Sequence, residues 1–478
     1  MEVSPEEYYR HLYPYDQLVR LLTQNGDELP NIEFAIEGLS PAGDKFYRRY
    51  LSVKTAKELK AEVSNFPHVK TFHFGAVYTG KPSGNVRVSA PVRRVLSFDI
   101  DLTDKEWIPL KEGGDISLPL CDRAWPVCAA SVDLLRRVLE LAFGYTQLLV
   151  VYSGRRGAHV HVFDEGAMSL SSEGRAAIIG YVNGATGTDK LRSTSGVHLV
   201  MKMHNLRKHV RRLFKTLFVV RMGILDTRQA RLDFLARLDL EKYASLSDMT
   251  DMLIPEVVDK ETGKDAWKCI VQHLEGVKQT SPWVLDRLDC AVLAYVWPML
   301  DTNVTRDIAH LTKVPFACHA KTGRVACAVA ADELMAFEPG QEAPSLVSWN
   351  QDTMDDALLL FDGRKEAMAE AMAEAMAEAG ISEAERRGEA NWELGEQQEQ
   401  QEDPEDPEDP EDPEVAVLSD SIMAELERKA EAELSEPDME DLVGPAPRSA
   451  VPTNRAPRQA LPRKMTFKRK LSPLVPEE

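Results

Sequence analysis

No apolar run in this sequence approaches the roughly 20 residues that a helix needs to cross a bilayer, and only six cysteines are scattered along its 478 residues. The first absence excludes a membrane-spanning helix. The second, with Cys121, Cys128, Cys269, Cys290, Cys318 and Cys327 far from any dense disulfide pattern, argues against a small secreted scaffold. The opening MEVSPEEYYRHLYPY has neither the basic start nor the apolar stretch of a secretory signal. The expectation is a reducing, intracellular, soluble protein with no membrane partner. Positive charge also looks scarce, since the net charge is −20. Spread evenly, that balance would argue against a nucleic-acid partner. It is not spread evenly: 34 Asp and Glu against 14 Lys and Arg lie from residue 351 onward, leaving 43 of each in residues 1–350. Lys190 to Arg237 even hold 12 basic residues against 2 acidic ones. The run reads either as a track for template phosphates or as the solvated face of a helix pair or a contact for another subunit.

What is present is a 44% hydrophobic chain with ample material for a core. Short β-prone runs follow one another from Asn31 to about Val162: IEFAI, FYRRYLSV, FHFGAVY, RRVLSFDIDL, QLLVVYS and AHVHVF, set apart by Gly, Pro and Asp. Residues 168–290 carry helical periodicity instead and read as an inserted helical subdomain. The composition breaks at about residue 360. EAMAEAMAEAMAEA is a low-complexity helix former, and the EDPEDPEDPEDPE repeat combines helix-breaking prolines with mutually repelling carboxylates. The expectation is a mixed α/β (α+β) fold. A sheet-rich core spans 1–360 with a helical insert at about 168–290, and a disordered acidic tail spans 361–478, with a helix near Ser421–Glu433 and a closing basic cluster, PRKMTFKRKL.

Three segments carry chemistry. In RRVLSFDIDLTD the period of two on a strand projects Asp99 and Asp101 from one face, and paired hard carboxylates suit Mg²⁺ or Mn²⁺. An isolated D-x-D is more often a solvated strand end. In VVYSGRRGAHVHVF, two glycines permit close backbone approach, Arg155 and Arg156 offer charge-assisted forks, and Ser153 adds a hydroxyl, a set that can hold a triphosphate. The alternative is an ordinary hairpin with exposed arginines. His159 and His161 fall on one face, where hydrogen-bonded histidines are commoner than metal ligands. In MLDTNVTRDIAHLTKVPFACHAKTGR, Asp301 offers a third carboxylate, while Lys313, His319 and Arg324 offer cations.

In order and wording these segments resemble the eukaryotic and archaeal DNA primase small (catalytic) subunit, of the archaeo-eukaryotic primase superfamily. The resemblance implies that Asp99, Asp101 and Asp301 bind two divalent ions, Mg²⁺ or Mn²⁺, about 3.5–4 Å apart. It implies that Ser153, Gly154, Arg155, Arg156, Gly157 and His159 line the nucleotide site. His310, Lys313 and His319 would hold the incoming phosphates. YYRHLYPY, IEFAI with Glu33, FYRRYLSV with Tyr47 and Arg49, and GAVY are similar to the family's opening, with Glu33 near the initiating nucleotide. Where the family has a four-cysteine zinc pattern, this chain has LPLCDRAWPVCAAS, with Asp122 and Ser131 in place of two ligands. Cys121 and Cys128 read more simply as buried thiols than as a zinc site. The implied activity is two-metal nucleotidyl transfer making RNA primers de novo on single-stranded DNA from ribonucleoside triphosphates. The implied partners are a primase large subunit and DNA polymerase alpha, and the implied location is the nucleus. A repair-type primase-polymerase and a non-catalytic assembly subunit are the competing readings.

Overall fold

The computed structural model describes residues 2–40, 43–104, 116–184, 206–240, 247–278, 284–297 and 300–378. The acidic repeat, the helix expected at Ser421–Glu433, the closing basic cluster and residues 190–205 of the basic run lie outside the described residues. The fold is mixed α/β. All six β-prone runs form strands: β1 (Ile32–Leu39), β2 (Lys45–Leu51), β3 (Val69–Tyr78), β5 (Leu96–Asp101), β6 (Leu148–Tyr152) and β7 (Gly157–Val162). Two short strands, β4 (Pro91–Arg93) and β8 (Thr312–Lys313), complete them. One sheet runs β2-β1-β3-β4, with β8 also paired to β3, and a second runs β5-β7-β6. Every pairing is antiparallel.

Alternation explains which side of each sheet is core. In β5, Phe98 and Ile100 are buried while Asp99 and Asp101 between and after them are only half-buried. In β3, Phe72 and Phe74 are buried and His73 looks the other way. The 26-residue helix Leu118–Phe143 packs beneath β5 and β7. Ser117 caps its first turn by accepting from the Leu120 N–H, and Gly144, at φ 66°, terminates it.

Between Val162 and Val296 the described elements are all helical. Much of the basic run holds this region together: Arg207 and Arg211 both grip the buried Asp289, His209 reaches Asp133, and Arg228 pairs with Asp259. Arg207 and Arg211 are thus held by a buried carboxylate of their own chain, which none of the readings of the run had included. The chain then returns to both sheets, through isolated bridges Ile100↔Leu300 and Val151↔Ala328. The boundary expected at 360 falls inside a helix, Gln351–Glu378, whose Phe361 and Met368 are buried. Ala, Glu and Met are strong helix formers, so the EAM repeat continues the helix rather than ending it. Among the described residues no helix is long and apolar enough to cross a membrane.

Candidate active site

The site lies where the two sheets face one another, and residues from β3, β5, β7 and the returning segment converge there. The antiparallel register sets Asp99 opposite His159 and Asp101 opposite Gly157. Asp99 Oδ1 lies 3.6 Å from His159 Nε2. Asp101 accepts from the Thr103 N–H and hydroxyl at 2.8 Å and from Arg156 Nε at 2.8 Å. Asp301 arrives beside them because its N–H donates to the Asp99 carbonyl at 3.4 Å, and its Oδ1 caps the short helix Thr302–Arg306 through the Asn303 N–H. The three carboxylates are an all-oxygen donor set that fits a hard divalent cation. Their oxygens do not all come within 4.8 Å of one another, as expected of like charges whose partners here are Arg156 and backbone amides.

The SGRRG segment is a tight turn closed by the Ser153 N–H on the Gly157 carbonyl (2.9 Å) and the Gly157 N–H on Ser153 Oγ (3.2 Å). Both glycines are required by geometry. Gly154 has φ 90°, and a Cβ there would meet His319 Cβ at 2.8 Å; a Cβ on Gly157 would meet the Ile100 carbonyl oxygen at 2.1 Å. Lys313, brought by β8 to pair with His73, reaches the Ser153 carbonyl at 3.5 Å, and Thr322 donates to the Gly154 carbonyl at 2.8 Å. Lys313, Arg155, Arg156 and the ring of His319 thus surround one turn. Burial lowers the Lys313 ammonium to about 8, with Cys318 and Asp99 pulling upward. Burial and then the neighbouring Lys313, Arg155 and Arg156 lower His319 to about 4. Burial likewise lowers His159, although Asp99 opposes it, and lowers His310. Burial disfavours the charged form of each of these groups, and a bound anion would favour it again.

Two residue groups position the returning segment, and sequence reading had left both without a role. Tyr8 and Tyr13, buried, donate to the Phe316 and Pro315 carbonyls at 2.8 and 2.7 Å, while the Tyr9 hydroxyl accepts from the Cys318 N–H. Phe316, held between them, has φ 63°, an uncommon conformation for a bulky residue that these contacts maintain. Arg94, 1% exposed, donates to the carbonyls of Val304 and Asp307 and to the Thr312 hydroxyl. It thereby fixes the stretch between Asp301 and Lys313.

Glu33 is fully buried, contrary to the usual fate of a strand glutamate. It accepts from Arg49 Nε (2.9 Å) and Nη2 (3.2 Å), the Tyr50 N–H (3.2 Å) and the Tyr78 hydroxyl (2.9 Å). Arg49 Nη2 also donates to the Ala309 carbonyl, next to His310. Glu33 is therefore placed to orient Arg49 rather than to meet a substrate directly. Glu33→Ala strands a half-buried guanidinium and two further donors, and should cost roughly 2–4 kcal/mol in urea denaturation. Tyr47 is half-exposed, with its ring against His73. His73 itself was missed: its Nδ1 is buried without a hydrogen-bond partner, and burial, then Lys313, lowers the ring to about 4. The signal was the alternation of FHFGAVY, which turns His73 away from the core side of Phe72 and Phe74.

One expectation is corrected. Arg324 is not directed to phosphates: it makes a double ion pair with Asp122, at 2.6 and 2.9 Å, and touches the Tyr152 hydroxyl. Cys121 and Cys128 are both buried, and one helix sets them seven residues apart, about 10 Å along its axis. Zn–S bonds of about 2.3 Å cannot span that. Asp122 is engaged by Arg324, and the Ser131 hydroxyl donates to the Val296 carbonyl.

A family model described as the DNA primase small subunit matches residues 98–330. The DNA primase small subunit of Schizosaccharomyces pombe is 30% identical over 349 residues, covering 70% of this chain and 74% of that protein. That of Drosophila melanogaster is 27% identical over 357 residues, covering 70% and 77%. The DNA primase small subunit PriS of Thermococcus onnurineus is 26% identical over 360 residues, covering 72% and 91%.

Proposed function

This chain belongs to the DNA primase small subunit family, and we propose that it is a polymerase that joins ribonucleoside triphosphates into short RNA primers, de novo, on single-stranded DNA. The observation that carries the proposal is the meeting of Asp99, Asp101 and Asp301 with the cations around the SGRRG turn. Carboxylates and phosphate-binding cations side by side are the two parts that nucleotidyl transfer needs.

Asp99, Asp101 and Asp301 are the residues that would hold Mg²⁺ or Mn²⁺. Such ions, when bound, supply charge that acidifies an attacking hydroxyl and offsets the charge of a leaving pyrophosphate. The chain's own part is alignment. Lys313, Arg155, Arg156 and His319 grip the triphosphate. Ser153 and the two glycines shape the turn on which it rests, and His159 lies against Asp99 and holds the first carboxylate in place. Arg49, oriented by Glu33, stands with Tyr47, His73 and His310 on the opposite side, where the second nucleotide of an unprimed reaction has to be received. Partners by family are a primase large subunit and DNA polymerase alpha, in the nucleus, and the role is in DNA replication. Primer synthesis on poly-dT with ATP, compared with dATP, tests the reading. A preference for ATP supports the replicative primase, and a preference for dATP supports the repair-type primase-polymerase.

The lowered Lys313 gives a pH prediction. A lysine depressed to about 8 loses its proton as pH rises through 8, whereas the unfolded chain keeps it to about 10.4. Above pH 8 the folded protein therefore has to take up a proton to present an ammonium to the triphosphate. Apparent nucleotide affinity should fall with pH above 8, by up to about tenfold per pH unit. Lys313→Arg, which stays charged, should flatten that limb of the KM profile.

A further inference from the structure

We infer that Glu256, Cys269 and His273 form a second, separate metal site, for a borderline-soft divalent ion such as Zn²⁺, in the helical region. Cys269 and His273 lie four residues apart on the helix Gly263–Val277, hence on one face, and Glu256 comes from the preceding helix Ser247–Val258. Taking one donor atom from each residue, all three lie within 4.8 Å of one another. His273 Nε2 is 3.3 Å from Glu256 Oε2, while its Nδ1 is 3.0 Å from the Cys269 carbonyl oxygen and 3.7 Å from Cys269 Sγ. Bonds of about 2.3 Å to sulfur and about 2.0 Å to nitrogen or oxygen put tetrahedral ligands roughly 3.3–3.6 Å apart. Binding turns the His273 ring and the Glu256 arm so that one ring nitrogen meets both Sγ and a carboxylate oxygen from within 4.8 Å, and Glu256 is the freest arm, at 51% exposure.

The surroundings are built rather than incidental. The buried Arg231 donates to the Val258 and Lys260 carbonyls, and Thr262 caps the second helix through the Asp265 N–H, so the turn joining the two helices is fixed. Cys269 is buried, His273 is partly exposed and Glu256 faces solvent, which leaves an entry path and a fourth position for water. A thiolate with an imidazole and one carboxylate selects against Mg²⁺, so this site and the three aspartates take different ions. Coordination deprotonates the Cys269 thiol, releases the proton to solvent and ties the two helices together.

Titration of the full chain with Co²⁺ is the test. A near-ultraviolet thiolate-to-cobalt band should saturate at one equivalent and be displaced by Zn²⁺. It should vanish in Cys269→Ser, weaken about tenfold or more in His273→Gln and Glu256→Gln, and persist in Cys121→Ser and Asp99→Asn. Glu256→Gln replaces an exposed side chain, so its loss of affinity cannot be a failure to fold, and its primer synthesis should match the parent. Absence of the band, its survival in Cys269→Ser, or unchanged affinity in Glu256→Gln would overturn the site.

Discussion

Asp99→Asn should reduce primer synthesis by about 10³-fold, the scale on which enzymes lose activity when a fixed charge facing the reacting centre is removed, while leaving the thermal midpoint within a few degrees of the parent. The two halves of this expectation have separate causes. Asp99 is half-buried and its one side-chain partner is His159, at 3.6 Å. Asn keeps the shape and the strand, and β5 is held by its neighbours Phe98 and Ile100 in the core. What is removed is the negative charge that faces both Lys313 and the returning Asp301. Unprimed synthesis on poly-dT, with circular dichroism as a folding control, separates the two effects. An Asp99→Asn protein with near-parental activity would show that the carboxylate is not part of the reacting centre.

Gly157→Ala should fail in the opposite way, losing stability and activity together. The added Cβ has to be accommodated 2.1 Å from the Ile100 carbonyl oxygen, a backbone atom near the end of the β5–β7 ladder. Relief requires the strands to part at the pair Asp101↔Gly157, which also moves Asp101 away from Arg156. We expect destabilisation of about 3 kcal/mol or more, at the upper end for overpacking, read as a lower urea midpoint. Gly154→Ala meets His319 Cβ at 2.8 Å and the Arg324 carbonyl oxygen at 3.0 Å, and its φ of 90° strains any side chain there. It should lower both stability and nucleotide affinity.

The contrast between these residues shows how far the sequence could be read. The six β-prone runs became strands because a period of two is a local property, visible within a few residues. The same alternation put Asp99 and Asp101 on one face, where β5 presents them. Gly154 and Gly157 were legible as close-approach residues, though not what they approach. Partnerships across long separations were not legible. Nothing in TRDIAHLTKVPF says that two of its residues, Thr312 and Lys313, form a strand on β3, since two residues carry no periodicity. Nothing local pairs Arg324 with Asp122, buries Glu33 against Arg49 and Tyr78, or sets Tyr8 and Tyr13 on the carbonyls beside Phe316. Arg324 was misread because a guanidinium near a phosphate-binding segment looks the same in sequence whether it faces a ligand or a carboxylate. The EAM repeat was legible as a helix former, though not that the helix it joins begins at Gln351 and runs through the shift in composition at 360.

The central claim is that the aspartates and the cation-lined turn form one nucleotidyl-transfer site able to start a chain. The most direct test gives the purified full chain poly-dT, ATP and Mn²⁺ without a primer, and resolves the products on a gel. The account predicts short oligoadenylates from the parent and none from Asp99→Asn. No product from a folded parent protein, or the same product from both proteins, would contradict it.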